Sequence, residues 1–386
     1  MNKLLFSEVA LGGVSSIFGM EEIKNMFNEK GISVRFLETE TMVRYNHIDT
    51  DDIEICDKFS MDKTSIFIPL NEYWLSYGHK EGFNRISNRA YRASRSKKYL
   101  SELLENSGMN YCRTLLLSDA RREVENGNKV LVKPDSYYSG HGVRVIERRN
   151  VDKLEQYIRE ANKLGDEAKR VLMIEEGDSE ICEYIIGEEY SADVFVVGGE
   201  KNILRVCRKK IVIIDDTPCV LAYITIPVSS EIRNALENWT DLLFDEDNIS
   251  FAQFDFIKRE SDGEFIPIDF SCRVGGGLKN LFMKYKNNIY KTALETLLTD
   301  GVFINNTDTG FYQFNILPVK CGKLYANPYH IQVENAIIVK YEKTVVNRIG
   351  GSANDRLGCI IGENYSENLF YKVFNMLLIG EGYIKE

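Results

Sequence analysis

The sequence predicts a fold of the α/β and α+β classes, with a parallel α/β domain first and a strand-rich region after it. Strand-like and helical segments alternate over about the first 85 residues, which is typical of a parallel sheet. Strands dominate from Lys129 to Asp269, and the tail combines β-like segments with a final helix, NLFYKVFNMLLIG. We therefore expect domains at 1–88, 89–300 and 301–386, the last one β-rich, packed together without Pro-, Gly- or Ser-rich linkers.

The N-terminal elements follow each other closely. LLFSEVALGG predicts a first strand, MEEIKNMFNEKG an amphipathic helix that ends at Gly31, and SVRFLE and TSIFIPLNE two further strands. The turn ALGGVSSIFG lacks the GxGxxG pattern, so its glycines are interpreted as steric. Two helices follow, RISNRAYRASR and SRSKKYLSELLENSG, and Ser94 or Ser96 is expected to cap the second.

Seven strands are predicted in the middle region. In chain order they are KVLVKP, VRVIE, RVLMIEE, EEYSADVFVVGG, NILRVCRKKIVII, ISFAQFDFIK and EFIPIDFS, with the helix VDKLEQYIREANKLG between the second and third.

Composition excludes several classes of protein. Hydrophobic residues make up 44% and charged residues 27% of the 386 residues, as in globular domains. The net charge of −10 disfavours a nucleic-acid partner. No apolar run approaches the roughly 20 residues needed to cross a bilayer, so no membrane partner is expected. Eight scattered cysteines and four histidines disfavour zinc clusters and disulfides, and favour the cytoplasm.

The segment FAQFDFIKRESDGEFIPIDFSCRVGGG predicts a hairpin with its turn at 262–263. Without a bulge, Asp255 and Asp269 are directly opposed, with Cβ atoms about 5 Å apart. Gln253, Ser271 and Arg273 share their face. The opposite face is expected to contribute core residues, namely Phe254, Phe256, Ile268 and Phe270.

Opposed aspartates are unfavourable unless another charge compensates them. A divalent cation does so, and Mg²⁺ prefers one or two carboxylates plus phosphate oxygens. The alternative is a polar, solvated face with the aspartates neutralised by Arg273, or a slipped register. The hairpin alone leaves both interpretations open.

A glycine loop lies between two predicted strands in VLVKPDSYYSGHGVRVI. Backbone N–H groups at 139–142 can converge on an anion, and Lys133 can reach the same phosphate. Taken alone, the segment is more typical of a long hairpin loop with a solvated lysine. In EYIIGEEYSADVFV, backbone groups at 183–185 can form hydrogen bonds with adenine, and the carboxylate of Glu188 or Glu189 can accept hydrogen bonds from the ribose hydroxyls. The alternative interpretation of this segment is an acidic strand and turn.

These three segments, in this order and spacing, resemble the ATP-grasp superfamily over residues 89–300. The flanking parts look like the pre-ATP-grasp and C-terminal domains of its carboxylase-like branch. That branch includes biotin carboxylase, carbamoyl-phosphate synthase, L-amino-acid ligases and the pyrrolysine-biosynthesis ligase. Its members commonly have Glu followed by Glu-x-Asn-x-Arg at the metal strands, where this chain has Asp255 and then Asp269-x-Ser271-x-Arg273.

The resemblance implies a role for each matching residue. ATP would be bound by Lys97, Lys133, Ser139, Gly140, His141, Gly142, Glu183, Tyr184, Ile185 and Glu189. One or two Mg²⁺ ions, or Mn²⁺, would be held by Asp255, Asp269 and Ser271. The reacting carboxyl or acyl phosphate would face Arg273.

Other candidates come from the residues themselves. In CRKKIV, Arg208, Lys209 and Lys210 are candidate phosphate contacts, and Lys210 is predicted to be catalytic together with Arg273. A solvated strand end is the alternative interpretation of CRKKIV. Substrate contacts are predicted at Glu72, Arg273, Gly275 and Gly276, because the glycines let backbone approach a carboxylate closely.

The resemblance implies an ATP-dependent ligase that joins a small carboxylate and an amine through an acyl phosphate and releases ADP and phosphate. Two alternatives stay open: a bicarbonate- or formate-activating enzyme, and an ATP-binding regulatory protein without catalysis. Small-molecule substrates and a homodimer are expected.

Overall fold

The computed structural model of the protein describes residues 6–46, 51–136, 140–172, 178–275, 281, 288–299, 309–329, 331, 333–350 and 355–385. The predicted site residues Ser139 and Gly276 lie outside this part of the chain. Within it, no helix is both long and apolar enough to span a bilayer.

The N-terminal region forms a parallel sheet, as the sequence predicted, but with four strands instead of the three that were expected. Its elements are β1 (Glu8–Gly12), α1 (Met20–Asn28), β2 (Ser33–Glu38), α2 (Glu40–Asn46), β3 (Ile53–Ile55), β4 (Ser65–Pro69) and α3 (Glu72–Lys80). The strand order is β3-β2-β1-β4. Helix α3 begins after the Asn71 cap, so Glu72 stands at the carboxyl end of the sheet.

Two helices and a small sheet follow. The helices are α4 (Asn88–Ala93) and α5 (Lys97–Asn106), and Ser96 caps α5 by accepting from the Tyr99 N–H at 3.0 Å. The small sheet subdomain consists of α6 (Leu117–Glu125), β5 (Val130–Pro134), β6 (Arg144–Ile146), α7 (Leu154–Leu172) and β7 (Ser179–Glu183). Its strands are antiparallel in the order β6-β5-β7. The strand predicted at RVLMIEE is wrong at its start, because α7 runs through Leu172.

A large antiparallel sheet begins at the end of β7. Its first elements are β8 (Gly187–Val197), β9 (Glu200–Ile214), β10 (Thr217–Thr225), α8 (Ser230–Leu243), β11 (Ile249–Arg259), β12 (Phe265–Ser271) and α9 (Ile289–Glu295). Strand β10 was not predicted. It forms a tight hairpin with β9 through Asp215 and Asp216, both of which have positive φ.

The C-terminal strands extend the same sheet. They are β13 (Tyr312–Pro318), β14 (Gly322–Leu324), β15 (Ile337–Lys340), β16 (Val345–Val346), β17 (Gly358–Gly362), β18 (Leu378–Ile379) and β19 (Ile384–Lys385), with α10 (Glu367–Val373) before β18. The order is β12-β11-β8-β9-β10-β13-β17-β15, with β18 beside β13, while β14, β16 and β19 form a separate small sheet. The nine-stranded sheet therefore contains strands from both sides of residue 300.

The large sheet is covered differently on its two faces. One face packs Ala192, Phe254 and Phe256 against Trp239 of α8 and Leu100 of α5. The other face is apolar where the N-terminal region and α9 cover it and polar beyond that cover. This polar part of the sheet is the floor of the site described next.

Candidate active site

A cavity of about 300 Å³ lies between the small sheet subdomain, the polar face of the large sheet and the N-terminal ends of α3 and α5. Most of the predicted site residues line it: Glu72, Lys97, Lys133, Gly140, His141, Glu183, Tyr184, Ile185, Glu189, Asp255, Asp269, Ser271, Arg273 and Gly275. Gly142 and Lys210 are not among the lining residues. The fold therefore brings these lining residues from five separate segments of the chain to one cavity.

The predicted hairpin register is present in β11 and β12. The cross-strand pairs are Asp255 with Asp269, Phe254 with Phe270 and Gln253 with Ser271. The hairpin was expected without a bulge, but Phe256 pairs with Pro267, so Ile268 is an extra residue on β12. This bulge corrects the prediction for Ile268, which lines the cavity instead of joining Phe254 and Phe256 in the core.

Each opposed aspartate is compensated by a lysine. The Nζ atom of Lys97 lies 3.4 Å from Asp269, and Nζ of Lys209 lies 2.9 Å from Asp255 and 2.7 Å from Glu189. Burial acts to lower the pKa of Lys209, but Asp255 and Glu189 outweigh it, so the pKa is raised. Burial in turn raises the pKa of Glu189. The site is thus a partly buried, alternating array of carboxylates and ammonium groups.

The donors at this hairpin suit a hard cation. Asp255 and Asp269 offer opposed carboxylates, and the buried Oγ of Ser271 has no hydrogen-bond partner among the described residues. Oxygen ligands of this kind fit Mg²⁺ when a substrate phosphate supplies the remaining positions. Within the described part of the chain, no group of three or more His, Cys, Asp or Glu side chains is arranged to hold a metal.

Lys133 enters the cavity from the small sheet. It is 6% exposed, and its Nζ lies 3.1 Å from the buried Glu180. Burial acts to lower the pKa of Lys133, but neighbouring groups, among them the Glu180 carboxylate and the Cys182 thiol, raise it well above its usual value. This lysine is therefore charged in the cavity wall.

Asp135, two residues beyond Lys133, joins the loop to α5. Its carboxylate accepts from the Lys98 N–H at 2.8 Å and from the Ser96 hydroxyl at 2.7 Å, at the positive end of the helix. Asp135 was not predicted from the sequence, because its contacts with α5 form only in the folded structure. Ser136 also lines the cavity, and its buried Oγ lacks a hydrogen-bond partner among the described residues.

The glycine tip contacts the C-terminal region. Nε2 of His141 lies 3.0 Å from Nη2 of Arg348, and Nδ1 lies 3.8 Å from Asp355. Gly142 has φ of +72°, and a Cβ there would approach Cδ1 of Leu164 to 2.5 Å, so glycine is required for two reasons. His141 lines the cavity, and its ring contacts Arg348 and Asp355 of the C-terminal region.

The segment between β7 and β8 forms an apolar slot. The N–H groups of Glu183 and Tyr184 donate to the carbonyls of Arg113 at 3.0 Å and Lys129 at 3.4 Å. The neighbouring side chains are apolar, namely Ile185, Leu131, Cys112, Ile257 and Ile268. A flat ring with polar edges fits such a slot, because its faces can contact the apolar side chains while its edges reach the backbone groups at 183–185.

The other end of the cavity is built around Glu72. Its carboxylate lies 2.7 Å from Nη1 of Arg95 and 2.6 Å from Nε of Arg273. Burial acts to raise the pKa of Glu72, but Arg273 and then Arg95 outweigh it and lower the pKa to about 2. Glu72 lines the cavity and its carboxylate orients two arginines, and its predicted substrate contact stays a prediction.

A second buried pair lies beside it. Arg205 forms an ion pair with Asp193, which also accepts from the Gly275 N–H at 2.8 Å. Nη2 of Arg205 lies so close to Gly275 that a Cβ there would approach it to 2.7 Å. The backbone of Gly275 was expected to be approached closely by a substrate carboxylate. In the structure the Arg205 side chain approaches it closely.

Lys209, rather than Lys210, extends into the cavity. Side chains alternate across a strand, and Lys209 shares the face of Glu189 and Tyr223, while Nζ of Lys210 lies 3.0 Å from Glu367 of α10. The structure thus places the predicted Lys210 outside the cavity wall.

Further residues of the cavity were missed from the sequence. They are Arg95, Arg205, Tyr223 and Arg356. All four lie in segments that carry no recognisable motif.

Comparisons with known proteins agree with this architecture. Residues 127–280 match the ATP-grasp domain family. The L-amino acid ligase from Bacillus licheniformis is similar in structure, with a TM-score of 0.66 and 14% sequence identity over 97% of each chain. Residues 127–280 are thus similar to an ATP-grasp domain, and the chain shares the fold of the L-amino acid ligase over nearly its whole length.

Two further solved structures share the fold. The ADP complex of N5-carboxyaminoimidazole ribonucleotide synthetase has a TM-score of 0.60 at 13% identity, with 98% of each chain covered. The biotin carboxylase domain dimer of Hydrogenobacter thermophilus 2-oxoglutarate carboxylase, with MgADP and bicarbonate, has a TM-score of 0.56 at 14% identity, covering 99% of this chain and 91% of that one. A comparison with curated protein sequences gives no significant match.

Proposed function

We propose that the protein is an ATP-dependent carboxylate–amine ligase acting on small, amino-acid-like substrates. The observation that carries this proposal is the Asp255–Asp269 pair, compensated by Lys97 and Lys209 and enclosed in one cavity with an apolar slot and an arginine cluster. Nucleotide, metal and carboxylate each have a matching part of this cavity. The similarity to an L-amino acid ligase supports the same class of reaction.

The apolar slot at 183–185 binds adenine in this proposal. The phosphates extend towards Lys133, Lys97 and Lys209, whose present carboxylate partners a phosphate can replace or join. Glu189 then accepts from the ribose or helps to position Lys209. Gly140 and Gly142 allow the loop to follow the phosphates closely.

Asp255, Asp269 and Ser271 would hold Mg²⁺. When bound, this ion neutralises the charge that spreads over the transferring phosphoryl group. The lysines are placed to stabilise the same charge, and Arg273, held by Glu72, orients the substrate carboxylate towards the γ-phosphorus. The carboxylate then attacks, ADP leaves, and an amine displaces phosphate from the acyl phosphate.

Phosphate release with ATP, Mg²⁺ and pooled amino acids tests this function. We expect release that requires an amino-acid pool, together with a new amide product detected by mass spectrometry. Release with bicarbonate alone would identify a bicarbonate-activating enzyme instead. ATP binding without turnover on any pool would contradict the ligase and indicate a non-catalytic ATP-binding protein.

A further inference from the structure

Asp135 lies between two cavity-lining residues, Pro134 and Ser136, and its backbone belongs to the small sheet subdomain. It directly follows β5, and its N–H donates to the carbonyl of Asp178, next to β7, at 2.9 Å. Asp135 is only 7% exposed, and a buried carboxylate is costly unless the protein itself supplies hydrogen-bond donors. These donors come from α5.

The carboxylate of Asp135 binds the first turn of α5. One of its oxygens accepts from the Ser96 hydroxyl at 2.7 Å, and the other accepts from the Lys98 N–H at 2.8 Å. The Ser96 hydroxyl in turn accepts from the Tyr99 N–H at 3.0 Å, so one hydroxyl both caps the helix and binds the aspartate. A carboxylate is also favoured at the positive end of a helix. Asp135 therefore fixes where α5 begins relative to β5.

Lys97, at the start of α5, is bound by the same residue. Its Nζ donates to the carbonyl of Asp135 at 3.3 Å and lies 3.4 Å from the Asp269 carboxylate. A lysine side chain is flexible and loses much rotamer freedom when it is ordered, so its position depends on such contacts. The ammonium group is thus bound both by a carbonyl of the small sheet subdomain and by a carboxylate of the large sheet.

Lys97 and Lys133 reach the cavity from different parts of the fold. Lys133 lies on β5, two residues before Asp135, and the intervening Pro134 restricts the backbone. Lys97 begins α5, which packs on the large sheet through Leu100. Asp135 connects the two lysines, because its backbone continues β5 and its side chain binds α5. The relative position of the two ammonium groups therefore depends on this residue.

We propose that Asp135 is a positioning residue that holds Lys97 in place beside Lys133, so that both ammonium groups reach the phosphates of the nucleotide. This inference rests on the proposed function, because it assumes that these lysines bind the phosphates of ATP. Asp135 itself does not contact the nucleotide in this proposal. Its loss should therefore weaken nucleotide binding only while Lys97 is present.

A double-mutant cycle between Asp135 and Lys97 tests this role. Asp135→Asn, Lys97→Met and the double variant are compared as full chains, by calorimetric titration with a non-hydrolysable ATP analogue and Mg²⁺. We expect Asp135→Asn alone to weaken binding roughly tenfold, as for loss of one hydrogen bond to a charged group. In the Lys97→Met background the same change should alter the affinity by less than about twofold, because the side chain through which Asp135 acts is gone.

Phosphate release adds a measurement that a merely structural role would not change in the same way. Asp135→Asn should lower kcat roughly a hundredfold, as for a group misplaced by about 1 Å. The KM of the amino-acid substrates should stay within about twofold, because Glu72 and Arg273 keep their contacts.

Two further variants control the experiment. Asp178→Asn changes an exposed residue that holds Asp135 through its backbone carbonyl, so analogue affinity and kcat should stay unchanged. Ser96→Ala removes one of the two donors to the Asp135 carboxylate and covers the case in which Asp135→Asn fails to fold. It should give a smaller loss of affinity with the same dependence on Lys97.

The positioning role would be overturned by full analogue affinity in Asp135→Asn and Ser96→Ala, or by equal losses with and without Lys97. Raised substrate KM values at unchanged kcat would overturn it as well. Failure of the proposed function has a different signature. Coupling between Asp135 and Lys97 in analogue binding, combined with no phosphate release on any amino-acid pool, would keep the positioning role and reject the ligase. An unaltered protein that does not bind the analogue would reject both.

Discussion

The carboxylates at the two ends of the cavity are compensated by different cations, lysines at one end and arginines at the other. At the hairpin and the small sheet the cations are Lys97, Lys133 and Lys209, each within 3.4 Å of a carboxylate. At the opposite end they are arginines, and Glu72 alone joins two of them. An ammonium is a point charge on a flexible stem, whereas a guanidinium binds in one plane.

This difference indicates which end changes during turnover. Lysines can exchange a carboxylate for a phosphate oxygen as the nucleotide binds and reacts, because their contacts have no fixed plane. Arginines oriented by a shared carboxylate keep one geometry, which suits a substrate that must be positioned. We therefore expect the lysine end to govern turnover and the arginine end to govern substrate affinity and local stability.

We expect the largest effect on phosphate release from the loss of a proposed metal ligand at the lysine end of the cavity. Asp269→Asn removes one of the opposed carboxylates and leaves Lys97 without it, so phosphate release should fall roughly a thousandfold, in the range seen when transition-state charge is left unstabilised. Steady-state phosphate release as a function of Mg²⁺ concentration measures this.

Asp262→Asn is the matched control on the same hairpin. Asp262 is exposed at the turn and pairs with Arg259, so activity should stay near that of the unaltered protein. A fully active Asp269→Asn protein, or equal losses in both variants, would contradict the assignment of the aspartate pair.

Removing the Glu72 carboxylate from the arginine end should instead change the free energy of unfolding, by an amount that depends on pH. The pKa of Glu72 is lowered from its ordinary 4.5 to about 2, so its ionised form stabilises the folded state by about 3 kcal/mol above pH 4.5. This contribution disappears as the pH falls from about 4.5 to 2. Glu72→Gln should therefore lower the free energy of unfolding strongly at pH 7 and progressively less at lower pH.

Urea titrations at pH 7 and near pH 3 measure the difference between the two proteins. Glu231→Gln, which removes an exposed partner of Lys258, is the control and should change stability by less than about 1 kcal/mol at both values. A Glu72→Gln deficit that is equal at pH 7 and pH 3 would show that the stabilisation is not due to this ionisation.

The sequence predicts the residues of each end of the cavity only where they belong to one contiguous motif. Asp255 and Asp269 are separated by one turn with a DG signal, so alternation alone placed them on one face, even though a bulge at Ile268 was not visible. Arg205 becomes a partner of Asp193 only through pairing of β8 with β9. Such pairing between strands is set by tertiary packing, which single-sequence patterns do not contain.

Tyr223 and Arg356 were missed for the same reason. Tyr223 lies on β10, a strand that was not predicted, and Arg356 lies in a short segment before β17 without a motif. The strand predicted at RVLMIEE is wrong at its start because an apolar run can be helical or extended, and here α7 continues through Leu172. Function-bearing motifs were thus found where they are contiguous and missed where the fold assembles them.

The smallest effect, and the sharpest test of the lysine end, compares two adjacent residues of β9. Lys209→Met and Lys210→Met are the same change on opposite faces of one strand. Because Lys209 contacts Asp255 and Glu189, its loss should reduce the kcat of phosphate release roughly a hundredfold, as for removal of one charge-stabilising donor. Lys210 pairs with Glu367 near the surface, so Lys210→Met should keep kcat within about twofold. Equal losses in the two variants, or a loss confined to Lys210→Met, would mean that the face of β9 assigned to the phosphates is wrong.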